Sequence, residues 1–167
     1  MRKFRHDEIK FDFSKEIKKK TQNHTDMINL AVQRQQEGNI KEAIKLYSEY
    51  MKKGTLTPGL LSNYGIACED LGNNKKAKEL YLKCINLFPD FANSYANIGN
   101  LLSQENKNSD ALIYIKKALH IRGDIAEYQI IFANILRNLK EYKKSESAYL
   151  NAMKLKPKLA DTYYNYS

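Results

Sequence analysis

The chain has 167 residues, 43% of them hydrophobic, and a net charge of +9, so it has enough apolar content for an ordinary folded domain. No stretch approaches the roughly 18 consecutive apolar residues of a membrane-spanning helix, and the basic start of the chain lacks the apolar segment of a secretory signal. We therefore expect a soluble, cytoplasmic protein with no membrane partner.

The cysteine and histidine content is low. The two cysteines, Cys68 and Cys84, are expected to be buried free thiols, since nothing else in the sequence indicates an oxidising compartment. The three histidines are far apart and lack the spacing of metal ligands. The sequence therefore predicts no metal site and no cofactor.

The positive charge is concentrated at the two ends of the chain. Residues 1–23 hold eight Lys or Arg against four acids, and residues 126–159 hold seven against three. A nucleic-acid-binding array is expected to carry a basic stripe along its whole length. We therefore interpret these ends as solvated surface, and nucleic-acid binding through them stays a remote alternative, which its strong salt dependence would reveal.

Taken in order, the elements begin after residues 1–23, a charged segment without a clear period that we expect to be a mobile arm. Apolar residues then follow helical spacing from about residue 26 to 37, and again from residue 40 to 51. Gly38 and Asn39 interrupt them, and glycine and asparagine tolerate the left-handed conformation that ends a helix. The pattern predicts a helical hairpin.

This hairpin recurs with a period of 34 residues. Three sets of residues keep the spacing: Gly38, Gly72, Asn106 and Lys140 at the turn; Ala43, Ala77, Ala111 and Ser145; and Tyr47, Tyr81, Ile115 and Tyr149. Small residues let paired helices approach closely, and the large ones are expected to fill the core. We predict four two-helix units, 24–57, 58–91, 92–125 and 126–159, and the start of a fifth or a capping stub in 160–167.

The third unit carries a family resemblance. Its segment Ser94-Tyr95-Ala96-Asn97-Ile98-Gly99-Asn100, followed by Asp110-Ala111-Leu112, resembles a near-consensus tetratricopeptide repeat, and the second unit is similar. The resemblance implies an all-α, right-handed superhelical solenoid of antiparallel hairpins. It also implies a protein-interaction scaffold that binds an extended peptide or a partner helix in a concave groove lined by the first helix of each unit.

One position of the first helices is asparagine in four units out of five. The equivalent residues are Asn29, Asn63, Asn97, Ile131 and Asn165. The resemblance places them in the groove, where amide donors and acceptors can bind a peptide backbone whatever its sequence, with Asn100 and Asn134 one turn further on. Ile131 either interrupts this row or forms an apolar pocket beside Ile130. Asparagine tolerated in the groove, or a bias of composition, is the alternative interpretation.

Catalytic motifs are absent. The sequence has no glycine-rich phosphate loop, no H-E-x-x-H and no C-x-x-C, so we expect no active site within this chain. The lysine and arginine clamp by which some arrays of this family bind a C-terminal carboxylate is missing too, since Ile28, Val32, Asn93 and Asn97 occupy its positions. The asparagine row instead resembles the arrays of O-linked N-acetylglucosamine transferases, which leaves a substrate-targeting region of a longer transferase as the alternative function.

The last eight residues, 160–167, repeat the opening of a first helix and then stop. Solenoid arrays normally end in a helix with a polar outer face. We therefore expect either that the array continues in a longer chain or that its C-terminal face associates with a second molecule.

Overall fold

The computed structural model of the chain describes residues 26–54 and 56–157. Within those ranges it contains eight α-helices and no β-strand, which confirms the predicted all-α class. The helices are α1 (26–36), α2 (Ile40–Lys52), α3 (Pro58–Asp70), α4 (Asn74–Leu87), α5 (Ala92–Gln104), α6 (Asn108–Ile121), α7 (Ala126–Asn138) and α8 (Tyr142–Leu155).

Each hairpin turns at the residue that the sequence predicted. Gly38, Gly72, Asn106 and Lys140 all have positive φ. The backbone closes the same way each time, as in the bonds from the amide of Asn73 to the Cys68 carbonyl (2.8 Å) and from the amide of Glu141 to the Leu136 carbonyl (2.9 Å). Lys140, at φ 62°, adopts this conformation although lysine disfavours it.

The start of α3 shows how local sequence sets a helix boundary. The side chain of Thr57 accepts a hydrogen bond from the amide of Leu60 at 3.1 Å, and Pro58 occupies the first helical position. The threonine side chain accepts a hydrogen bond from an amide that has no partner within the helix. Proline is tolerated at the first helical position because an amide there would have no hydrogen-bonding partner in the helix.

The core runs along the array between the helices of each pair and between successive pairs. Its small positions are fully buried, Ala77, Ala111 and Ala118 among them, and so are the rings of Tyr47 and Tyr81. Cys68 and Cys84 are buried free thiols, as predicted. Burial raises the pKa of Cys68 to about 11, so its thiol is protonated at neutral pH.

The first helices of successive pairs lie closer together than the second helices. The backbone of α5 lies close to the backbones of both α3 and α7, whereas no two of α2, α4, α6 and α8 approach each other as closely. Helices on the inside of a bend approach one another, so α1, α3, α5 and α7, the inner helices, form the concave side. The other four are the outer helices. None of the helices in the described ranges is both long and apolar enough to cross a membrane.

Candidate functional site

Side-chain hydrogen bonds join the inner helices across the concave side. Each connects residues that are 35 positions apart: Gln35 to Asp70 (2.7 Å), Asn97 to Ser62 (3.1 Å), Tyr128 to Asn93 (2.5 Å) and Asn138 to Ser103 (3.3 Å). This separation is one residue more than the repeat, so neighbouring inner helices pack with an offset of one residue. The bonds hold the polar groups of the groove in a fixed register.

The residues predicted for the groove all lie on inner helices where the structure describes them. Asn29 is exposed, whereas Asn63, Asn97, Asn100, Ile131 and Asn134 are half-buried; Asn165 lies outside the described residues. The amide of Asn97 donates to the hydroxyl of Ser62. Among the described residues, no side chain or backbone group hydrogen-bonds the side chains of Asn29, Asn63 or Asn100, so their amides can bind another molecule.

Tyrosines of the outer helices reach through the core to the groove. The hydroxyl of Tyr47 donates to Gln35 (3.3 Å), and the hydroxyl of Tyr81 donates to the Glu69 carboxylate. Burial raises the pKa of Glu69, and the tyrosine hydroxyl acts in the opposite direction by stabilising the carboxylate. These tyrosines therefore fix the orientation of groove side chains while their rings fill the core.

Sequence reasoning assigned these tyrosines to the core alone and missed their hydroxyl bonds. The signal was a polar residue twelve positions before the tyrosine in the first two units. In the fourth unit the partner differs, because the Tyr149 hydroxyl donates to Asn134, a predicted groove residue, at 2.5 Å.

A pocket of about 210 Å³ opens between α5 and α7. It is lined by Asn100, Glu127, Ile130, Ile131 and Asn134. Its lining therefore combines two branched aliphatic side chains with two amides and one carboxylate. The Glu127 carboxylate pairs with the ammonium of Lys156 at 2.7 Å, and this hydrogen bond lowers the pKa of Glu127.

The charge of the inner helices differs from that of the whole chain. They contain no lysine, two arginines and four acidic residues, which are Asp26, Glu69, Asp70 and Glu127. The concave side is therefore neutral to weakly acidic although the chain carries +9. No cluster of three or more His, Cys, Asp or Glu side chains in the described part of the chain is arranged to hold a metal ion.

The family follows from the repeats and their packing. The family profile described as tetratricopeptide repeat matches residues 59–91, 92–124 and 126–159. The chain belongs to the tetratricopeptide repeat family. The match covers more than half of the chain, and the helix pairs and turns described above have the geometry of this repeat.

Solved structures of the family share the fold. A thermophilic tetratricopeptide protein of Thermus thermophilus superposes with a TM-score of 0.72 at 19% identity, covering 80% of this chain and 75% of that one. MamA of Desulfovibrio magneticus gives a TM-score of 0.69 at 19% identity, covering 80% and 76%. At these identities the likeness shows the fold alone.

The curated relatives are much longer than this chain. Protein O-mannosyl-transferase TMTC3 of Homo sapiens is 25% identical over 144 residues, covering 77% of this chain and 16% of that protein. The Tmtc3 protein of Drosophila melanogaster is 32% identical over 78 residues, covering 47% and 8%. The chain thus matches a small part of each transferase. The expected resemblance to N-acetylglucosamine transferase arrays in particular stays a prediction.

Proposed function

We propose that the chain is a protein-interaction scaffold whose concave groove binds an extended peptide. The observation that carries this proposal is the row of asparagines on successive inner helices, of which Asn29 and Asn63 have no hydrogen-bonding partner among the described residues. An amide offers a donor and an acceptor, as each peptide unit does. A row with one amide per repeat can therefore hold a peptide backbone whatever its side chains.

The pocket between α5 and α7 adds selectivity to this backbone recognition. Ile131 stands where the other described inner helices carry asparagine, and with Ile130 it supplies the aliphatic part of the pocket lining. An apolar side chain of the peptide would lose its hydration against these isoleucines, and the amides of Asn100 and Asn134, which also line the pocket, would bind the adjacent backbone. We infer that the peptide carries a branched aliphatic residue at this point.

The charge of the groove favours a neutral or basic peptide. A C-terminal carboxylate or a phosphopeptide needs Lys or Arg in the groove. The inner helices contain no lysine and only two arginines, of which Arg34 pairs with Glu37 at 2.8 Å. The four acidic residues of the inner helices outnumber their two arginines, which favours a cationic side chain over an anionic one. Because few fixed charges are involved, binding should depend weakly on salt.

We expect the Asn29→Ala/Asn63→Ala double variant of the full chain to bind its peptide about tenfold more weakly, because each substitution removes a hydrogen bond to the peptide worth about 0.5–1.5 kcal/mol. Peptides would be selected from a random display library with the wild-type chain, and affinities measured by fluorescence polarisation. The matched control is Asn86→Ala/Asn151→Ala, which removes two exposed amides from outer helices.

Unchanged affinity in the groove variant, with both variants equally helical by circular dichroism, would contradict the proposal. An equal loss of affinity in the control variant would also contradict it, because amides outside the groove would then contribute as much to binding as those inside it.

Ile131→Asn should continue the asparagine row and remove part of the aliphatic lining of the pocket. We expect this variant to lose about tenfold in affinity for selected peptides that carry leucine or isoleucine at the pocket position, and to lose little for the same peptides with alanine there. The comparison requires the four affinities of the two proteins for the two peptides. Parallel losses for both peptides would place the aliphatic contact elsewhere.

A substrate-targeting array of a longer transferase is the second candidate, favoured by the matches to O-mannosyl-transferases, of which this chain covers 16% or less. Under it, the bound peptide would belong to an acceptor protein. Sequencing the transcript beyond the codon for Ser167 tests it directly, since the candidate requires that a catalytic domain be encoded in the same message.

A further inference from the structure

Lysine is distributed by helix in this fold. The four outer helices hold twelve lysines and five acidic residues, whereas the inner helices hold no lysine at all. Within the described helices, the outer set therefore has an excess of lysine over acidic residues, whereas on the inner set the four acidic residues outnumber the two arginines.

The most outward positions of the outer helices can be identified from burial. On each of these helices four positions, spaced by four, three and four residues, lie on one face; they begin at Lys41, Lys75, Ser109 and Lys143. Fifteen of these sixteen side chains are exposed, and Ser48 is half-buried. We call these sixteen positions the outer stripe.

The outer stripe combines cations with exposed aliphatic side chains. It contains seven lysines: Lys41, Lys45, Lys52, Lys75, Lys116, Lys143 and Lys154. Its one acidic residue is Glu79, whose carboxylate pairs with Lys76 at 3.1 Å. Leu82, Ile113 and Leu150 stand among the lysines on three successive outer helices, with 41%, 67% and 48% of their surface exposed.

We propose that the outer stripe binds the surface of an anionic lipid bilayer. Lysines near such a surface are attracted by its negative potential, and aliphatic side chains beside them can enter the boundary between headgroups and acyl chains. The expectation of no membrane partner rested on the lack of a spanning segment, which peripheral binding does not need. The groove faces the opposite side, so a bound peptide would point away from the membrane.

The chemistry of the stripe favours lipid over nucleic acid or an acidic protein. None of the sixteen positions is arginine, phenylalanine, tyrosine or tryptophan, and one is histidine. Arginine binds phosphates in two-point contacts and aromatic rings stack on bases, so the stripe has little of either capacity. The aliphatic side chains are dispersed, one on each of three helices, whereas a protein partner is usually anchored by a buried central cluster. A fluid surface can accommodate this dispersed arrangement.

The test measures cosedimentation of the full chain with vesicles of phosphatidylcholine alone and with vesicles that also contain phosphatidylserine. We expect binding to the anionic vesicles that high salt weakens, and little binding to the neutral ones. The Leu82→Ser/Ile113→Ser/Leu150→Ser variant should partition at least about tenfold less, because three aliphatic groups no longer leave water.

Charge variants separate the stripe from the net charge of the protein. Lys45→Gln/Lys75→Gln/Lys143→Gln removes three lysines of the stripe and should weaken binding about a hundredfold. Lys53→Gln/Lys107→Gln/Lys140→Gln removes the same charge from the turns between helices and should have a much smaller effect. Circular dichroism and thermal unfolding verify that every variant is folded.

Three results would overturn the proposal. The first is equal binding to neutral and anionic vesicles, and the second is equal loss of binding in the two charge variants. The third is an unchanged affinity of the folded serine variant for anionic vesicles. Duplex DNA is the remaining comparison. If the protein binds it more tightly than anionic vesicles, and the serine substitutions leave that affinity unchanged, the stripe binds nucleic acid and the proposal is wrong.

Discussion

Replacing Tyr81 with alanine is expected to lower the free energy of unfolding by about 3 to 5 kcal/mol, because the ring is fully buried against Gly65 of the paired helix and its loss leaves a cavity. The substitution also removes the hydroxyl that donates to the half-buried Glu69 carboxylate. Urea unfolding, followed by circular dichroism, measures the change.

The matched control is Tyr142→Ala, which makes the same substitution at a side chain that is 64% exposed. This variant should stay within about 0.5 kcal/mol of the wild type. Similar losses in the two variants would mean that Tyr81 does not fill the core as the structure describes.

Gly65→Ala should cost about 1 to 3 kcal/mol, since a Cβ atom at this position would lie 2.3 Å from the Cε1 atom of the Tyr81 ring. The ring would have to move, and the hydrogen bond from its hydroxyl to Glu69 would be strained or lost. The loss of stability is again measured by urea unfolding.

Gly59→Ala is the control for this substitution, because it lies in the same helix and a Cβ atom there meets nothing within 4 Å. It should cause no loss and a gain of up to about 1 kcal/mol, since alanine reduces the freedom of the unfolded chain. In addition, Gly65→Ala should cost much less when Tyr81 is already alanine, because the clash is between these two residues. Additive losses would contradict the contact.

The fold could be predicted from the sequence because the same pattern of residues recurs in every unit and each copy indicates the same helix pair. The spacing of Gly38, Gly72, Asn106 and Lys140 located four turns, and all four have the left-handed backbone. The buried small and aromatic positions followed from the same period. Each unit buries its apolar face against its neighbours, so one pattern determines both the helix pair and its packing.

The candidate groove could be predicted only in part. The sequence placed the asparagines on the inner helices, and their role in binding remains a proposal. It did not predict that Asn97 donates to Ser62 or that Asn134 accepts from Tyr149. The first bond depends on the one-residue offset between neighbouring inner helices, which has no signature within a single unit. The second joins the two helices of one pair, α8 and α7, and its partner lies at a different spacing from that in the first two units.

The sequence by itself therefore determined the helical pairs, their turns and the composition of the core, because these follow from local backbone preferences and from a period that recurs along the chain. Only the tertiary structure decided which amides are occupied by neighbouring side chains, where Ile131 forms a pocket, and that the lysines gather on one side. It also decided the conformation of Lys140, whose positive φ costs about 1 to 2 kcal/mol. Helix α7 packs against α8, and this packing stabilises the turn between them. It offsets the preference of lysine for negative φ.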